Sequence, residues 1–302
     1  VGTILVSGLI NLETTLRVDA FPIQYQPVRY PFFGIHQTIS GVGYNIARAL
    51  TILGETVTLA SMIGSDPTGA LAQMALAKDG IPDDLIVQSL AQTPASVILY
   101  DSDGRRQINV DLKNIQDTPF PRDLFLDALA GCSLAVLCNI NFSRPFLQEA
   151  RQRGKLVATD VHTISDLDDP YNRDFMQHAD ILFMSDEALP CTPEDWAHRV
   201  RDRYGTAIIV IGLGKQGALL SVKQDGFIER IPAVHIRPVI NTIGAGDALF
   251  SAFLHVYSRT GSPYEALQKA IVFAAYKIGE NGAANGFLSS EQLTQIAAAV
   301  HR

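Results

Sequence analysis

The chain has 302 residues, 47% of them hydrophobic and 18% charged, with a net charge of −7 at pH 7. It is long enough for one large α/β domain or two smaller ones, and its acidic balance excludes a nucleic-acid surface while leaving room for a nucleotide at a local positive site. No apolar run reaches the roughly 18 residues that a bilayer demands, and Cys132, Cys138 and Cys191 lack metal-ligand spacing, so buried free thiols in a cytoplasmic protein are expected.

The first ten residues are apolar with no basic region ahead of them and read as a buried strand, not a signal peptide. Residues 11–40 carry Pro22, Pro27 and Pro31 among Phe21, Tyr25, Tyr30, Phe32 and Phe33, with little helical period. A helix is predicted at 44–53, a strand at 56–63 and a helix at 69–78. Residues 96–113 read as a hairpin, with strands 97–100 and 107–111 about the turn Asp101-Ser102-Asp103-Gly104. Strands then fall at 133–138, 156–160, 180–184 and 207–211, and helices at 144–153, 192–203, 248–257, 263–278 and 290–300. The last helix opens on the capping signal Ser289-Ser290-Glu291-Gln292. Such alternation predicts a parallel sheet covered by helices. The two irregular segments fit either a small sheet projecting from it or a plain loop and surface hairpin.

The densest chemistry lies in Asn241-Thr242-Ile243-Gly244-Ala245-Gly246-Asp247, which leads into an apolar helical run. Glycines flanking an alanine turn amides toward one point, and the start of a helix favours negative charge there. Asp247 is an ordinary helix-start residue. Beside a bound phosphate, however, a carboxylate needs another task, and taking a proton from a substrate hydroxyl is one. Gly8-Leu9-Ile10-Asn11-Leu12-Glu13 follows the first strand, where open α/β sheets bind ligands. Ser40-Gly41-Val42-Gly43-Tyr44-Asn45 leads into a helix, and Asn45 can both donate and accept hydrogen bonds. Ser185-Asp186-Glu187-Ala188 suits a solvated acidic helix start as well as water ordered around a divalent ion. Gly212-Leu213-Gly214-Lys215-Gln216-Gly217 reads as a turn. The seven histidines have no metal-ligand spacing, and His162 stands apart only by following Asp160 at a strand end.

The segment ending in Asp247 resembles the C-terminal signature of the ribokinase-like (PfkB) carbohydrate kinases, commonly Asp-Thr-x-Gly-Ala-Gly-Asp, with Asn241 at its first position. Asn11 and Glu13 stand at the family's Gly-x-x-Asn-x-Asp, Glu13 being one methylene longer than the usual aspartate. Ser40, Gly41 and Asn45 stand at Gly-Gly-x-x-x-Asn-x-Ala, and Gly64-Ser65-Asp66-Pro67-Thr68-Gly69 is similar to its Gly-x-Asp-x-x-Gly turn. The resemblance implies a ribokinase-like three-layer α/β/α sandwich with a mainly parallel central sheet and a small β-sheet lid. It implies a single domain over residues 1–302, with lid segments 11–40 and 96–113 inserted.

The resemblance also implies roles. Asp247 would be the base, and Gly244, Ala245 and Gly246 would form the anion hole. Asn11, Glu13, Gly41 and Asn45 would hold the acceptor, and Thr242, Ser185, Gly214 and Gly217 the nucleotide. Asp186 and Glu187 would hold Mg2+ or another divalent ion through water, although Ser185 and Ala188 replace the family's Asn and Glu. Asn241 removes the carboxylate that usually helps to hold a monovalent cation near residues 274–283, so weak or absent potassium activation is expected. The implied reaction is ATP-dependent phosphorylation of a hydroxymethyl group on a sugar or sugar-like molecule. A nucleoside acceptor stays open, since Phe32 and Phe33 suit a base as well as a sugar face; so does a non-catalytic sugar- or nucleotide-binding relative. A Rossmann dehydrogenase fits poorly, because no Gly-x-Gly-x-x-Gly follows the first strand. Some relatives dimerise through the lid, which makes a homodimer a further expectation.

Overall fold

Strands whose apolar residues run unbroken, instead of alternating with polar ones, are buried on both faces. The computed structural model, which describes residues 2–102 and 105–300, bears this out. The first half of the chain runs β1 (Thr3–Ser7), β2 (Asn11–Arg17), β3 (Ile35–Ser40), α1 (Val42–Ile52), β4 (Val57–Gly64), α2 (Pro67–Asp79), β5 (Ile86–Leu90), β6 (Ala95–Tyr100), β7 (Arg106–Asp111), α3 (Arg122–Gly131) and β8 (Cys132–Leu137). The second half runs α4 (Phe146–Gln152), β9 (Leu156–Thr163), α5 (Arg173–His178), β10 (Ile181–Ser185), α6 (Pro193–Tyr204), β11 (Ile208–Gly212), β12 (Ala218–Val222), β13 (Phe227–Ile231), α7 (Ala245–Thr260), α8 (Pro263–Lys277) and α9 (Ser290–Val300).

Among these residues one sheet has the order β13-β12-β11-β10-β9-β8-β1-β4-β5. Strands β5 to β11 in that order are parallel, and β12 and β13 add an antiparallel edge. Ile4 and Val6 of β1 enter a core with α1, α7, α8 and α9, while Leu5 enters a second core with α3, α4, α5 and α6. The result is a three-layer α/β/α sandwich. The chain leaves β1 for β4 on one side and reaches β8 on the other, so the sheet's topological switch point lies beside β1, where such sheets bind ligands.

Local chemistry explains where two helices begin. The helix predicted at 69–78 starts at Pro67, because Asp66 caps it by accepting from the Gly69 amide at 2.9 Å and proline suits the first helical position. The helix predicted at 248–257 spans Ala245–Thr260, because Gly244 makes a left-handed turn directly before it. Strands β5, β12 and β13 and helices α3 and α5 were not predicted. Most are short, and β5 and β13 lie half-exposed at the sheet edges with no clean period to read.

A second sheet, β3-β2-β6-β7, gathers the two irregular segments. The predicted hairpin is β6 and β7; its turn residues Asp103 and Gly104 lie outside the described residues. Register puts Asn11 opposite Ser40 and Glu13 opposite Ser96, with Thr15 opposite Ile98. The inner face of this small sheet rests on the sandwich, since Ile98 packs with Ile243 and Ala283. Arg106 at the start of β7 donates to the Thr242 hydroxyl at 2.8 Å and to its carbonyl at 3.2 Å. Phe32 and Phe33 are 84% and 97% exposed on the loop between β2 and β3.

Candidate active site

Two loops meet at the C-terminal edge of β1. Gly41, before α1, has φ 104, and a Cβ there would run into the Leu9 carbonyl, so only glycine brings the two strand ends this close. The approach lets the first turn of α1 deliver Asn45 to the centre of the cleft. Its Nδ2 donates to Asp247 Oδ2 at 2.7 Å, across 202 residues of sequence. Gly244, before α7, has φ 75, and a Cβ there would strike the Ala283 carbonyl. That turn points the start of α7 into the same cleft.

The amides of this helix start divide into two groups. Ala245 N–H is bonded to the Thr242 carbonyl at 3.2 Å. The next two, Gly246 and Asp247, belong to the first turn, whose donors have no partner within the helix. A Cβ on Gly246 would have only Asp160 Oδ2, 4.0 Å away, in contact distance. Space for an anion is therefore open above Gly246, with Asp160 beside it.

Burial pushes the Asp247 carboxyl above the ordinary aspartate range; Asn45 and His162 act against the shift and Asp160 adds to it. A carboxylate so placed is a better proton acceptor than a solvated one. Asp160 and His162 end β9, and His162 adopts a left-handed backbone with φ 58 while its amide donates to Asp160 Oδ1 at 2.8 Å. His162 Nδ1 lies 3.8 Å from Asp160 Oδ2, which puts its ring beside the carboxylate next to Gly246.

At the start of β2 Asn11 is buried and donates to Ser96 Oγ at 3.0 Å, while its Oδ1 is buried with no partner among the described residues. A buried carbonyl oxygen left in this state is suited to a hydroxyl donor. Glu13 Oε2 accepts from Ser40 Oγ at 2.9 Å and Oε1 from the Ala283 amide at 3.3 Å. Ser40 Oγ also lies 3.1 Å from Asn45 Oδ1. Burial raises the Glu13 carboxyl, although the Ser40 and Ala283 bonds and the Lys277 charge oppose this.

Lys277, which ends α8, is wholly buried and donates to the Ile243 carbonyl. Sequence reasoning did not single it out. Its signal was a lone lysine in the apolar stretch Ala274-Ala275-Tyr276-Lys277-Ile278. Arg106 was also missed, and no sequence pattern marked it.

The remaining expected positions lie along the neighbouring strand ends. Thr242 is engaged by Arg106, and Ser185 Oγ accepts from the Glu187 amide at 3.3 Å. Asp186 is half-buried, and Glu187 is exposed with Arg106 3.6 Å away. Gly214 and Gly217 bound the turn after β11, where Gly217 lies against the Ile231 carbonyl. Among the described residues no three His, Cys, Asp or Glu side chains are grouped to hold a metal.

A family model described as pfkB family carbohydrate kinase matches residues 3–290. The chain is 26% identical over 276 residues to acarbose 7(IV)-phosphotransferase of Actinoplanes sp., covering 90% of this chain and 91% of that protein. It is 24% identical over 302 residues to 2-dehydro-3-deoxygluconokinase of Bacillus subtilis, covering 88% and 90%. Among solved structures, a microbiome-derived acarbose kinase superposes with a TM-score of 0.88 at 26% identity, over 98% of this chain and 99% of that one. Ribokinase from Thermotoga maritima superposes with a TM-score of 0.80 at 20% identity, over 99% and 100%.

Proposed function

The chain belongs to the pfkB family of carbohydrate kinases, and on that footing we propose that Asp247 is the base with which it moves the γ-phosphoryl group of ATP to a hydroxymethyl group of a sugar or sugar-like acceptor. The observation that carries this reading is the 2.7 Å bond from Asn45 to Asp247, which ties the acceptor-side motif to the acid at the anion-binding turn. Asn45 occupies Asp247 Oδ2, leaving Oδ1 for the hydroxyl proton. The hydroxyl oxygen bonds to the γ-phosphorus as the bond from that phosphorus to the β–γ bridging oxygen breaks, and ADP leaves with the electron pair. Charge spreading over the transferring oxygens is met by the free amides at the start of α7, with Gly244 setting their direction.

Asn11, Glu13, Gly41 and Asn45 form the acceptor side, with the unpartnered Asn11 Oδ1 as an acceptor for a substrate hydroxyl. Thr242, Ser185, Gly214 and Gly217 form the nucleotide side. Asp186 and Glu187 would hold Mg2+ through water, with phosphates supplying more of its shell, and the Asp160 carboxylate, 4.0 Å from where a Cβ on Gly246 would sit, is a further oxygen donor beside the anion-binding turn. Such an ion neutralises phosphate charge when bound. Residues 1–302 act as one kinase domain in this reading, with segments 11–40 and 96–113 as a lid that excludes water from the transfer. The exposed Val97 and Ile35 on the outer lid face support a homodimer through the lid. Cys132, Cys138 and Cys191 are free, which supports a cytoplasmic setting, and no described helix is long and apolar enough to cross a membrane.

An ATP-consumption and thermal-shift screen across sugars and nucleosides tests the proposal. Turnover with a sugar supports it, and turnover confined to nucleosides would make the chain a nucleoside kinase. Ligand-induced stabilisation with no turnover on any acceptor would mark a binding protein instead.

A further inference from the structure

A turn that presents amides to an anion must keep its carbonyls pointed away, and those carbonyls need partners of their own. In this chain the carbonyl of Ile243, directly before Gly244, points into the protein and accepts from Lys277 Nζ. Lys277 closes α8, so its charge lies at the negative end of a helix dipole. Asn241 Oδ1 accepts from the Ile243 amide at 3.1 Å, and Asn241 Nδ2 donates to Asn281 Oδ1 at 3.2 Å, tying the turn to the segment after α8. The backbone repeats the tie, since the Ile240 amide donates to the Ile278 carbonyl at 2.9 Å.

We infer that the Lys277 ammonium is a built-in cation that positions the anion-binding turn before α7 and takes the place of an exchangeable monovalent ion there. The inference rests on the kinase reading above. Burying an ammonium costs free energy, and burial depresses the Lys277 pKa from its ordinary 10.5 to about 8. The groups facing it are Glu13 from β2, Asp247 from α7 and Glu280 after α8, which favour its charge, and Arg106 from the lid, which opposes it. Lys277 is thus a positioning residue: it reaches the transferring phosphoryl group only through the turn. The residues present do not suit a second cation, because the Ile243 carbonyl already accepts from the ammonium and Asn241 is neutral.

The test is a KCl titration of turnover at constant ionic strength, balanced with choline chloride, on the intact chain and on Lys277→Ala. The intact chain should show no dependence on K+ or NH4+. Lys277→Ala should lose about a hundredfold in kcat with little change in acceptor KM, the scale of removing one oxyanion donor. Small cations that fit the vacated space, K+, NH4+ or ethylammonium, should restore at least about tenfold of that loss by the same reasoning, and choline none of it. A lysine that served packing alone would give no such rescue. Potassium activation of the intact chain, full activity of Lys277→Ala, or a folded variant that no cation restores would each overturn the inference.

The same titration read through the melting-temperature shift given by a non-hydrolysable ATP analogue needs no turnover, and a shift lost in Lys277→Ala must return with the cation. If the alanine variant does not fold, Lys277→Gln keeps a donor for the Ile243 carbonyl without the charge. Retained kcat in Lys277→Gln would refute a role for the charge. Lack of turnover in the intact chain would count against the kinase reading, while the thermal-shift arm would still decide the role of Lys277.

Discussion

Replacing Lys277 with methionine should change how stability depends on pH. The side chain is wholly buried, and its pKa falls from 10.5 to about 8 through desolvation. Between those values the unfolded chain holds a proton at this site that the native chain has released, so the intact chain gains stability as pH rises. Below about 8 both states are charged and the native state carries the full cost of the buried ammonium, about 3 kcal/mol at 1.36 kcal/mol per pKa unit. Methionine has nothing to titrate there. Urea unfolding of both proteins at about pH 7 and about pH 9.5 should therefore show the intact chain gaining about 2 kcal/mol relative to Lys277→Met. Taking the difference between the two proteins cancels the titration of every group that does not interact with Lys277. The hydrogen bond to Ile243 does not disturb the comparison, because a neutral amine still donates. A difference that stays constant across this range would refute the reasoning, since it would mean that Lys277 keeps an ordinary pKa in the fold.

Two further outcomes are expected at the phosphoryl-transfer site. Asp247→Asn should cut kcat on the order of a thousandfold while calorimetry finds ATP affinity nearly unchanged; turnover within a few-fold of the parent would remove Asp247 from the base role. In the intact enzyme the acid limb of kcat/KM should lie above the ordinary aspartate value of 3.8, because burial raises the Asp247 carboxyl and the base works only above its own pKa. Gly244→Ala should lower stability by about 1–3 kcal/mol in chemical denaturation and reduce turnover, through a strained left-handed residue and a clash with the Ala283 carbonyl. A variant of parental stability and rate would show that the turn does not need its present shape.

The parts of this site that could be read from the sequence are those in which a residue type answers a local backbone demand. Gly41 and Gly244 take conformations that side chains resist, and Asp66 caps the helix it precedes, so each leaves a mark within a few residues of itself. The alternation of strands and helices was legible for the same reason. What could not be read depends on partners brought from far along the chain. Lys277 is a lone lysine in an apolar stretch at a helix end, and nothing near it in sequence names its partners; it is buried because the turn at Ile243 and the Glu13 strand close over it. Ser40 and Glu13 read as two separate departures from the family pattern, 27 residues apart. In the fold they touch: the longer glutamate reaches the serine hydroxyl, which also contacts Asn45 and so adjoins the residue that holds Asp247. A glycine at 40 would have no hydroxyl for Glu13, and the two departures are better treated as one feature. Asn241 belongs to the same reasoning. A carboxylate there would add a charge beside an ammonium already faced by Glu13, Asp247 and Glu280, whereas the amide bridges Ile243 to Asn281 without one. The unusual residues around the Gly-Ala-Gly-Asp turn are consistent with one change, a fixed positive charge in its support, and with neutral or hydrogen-bonded neighbours that suit it.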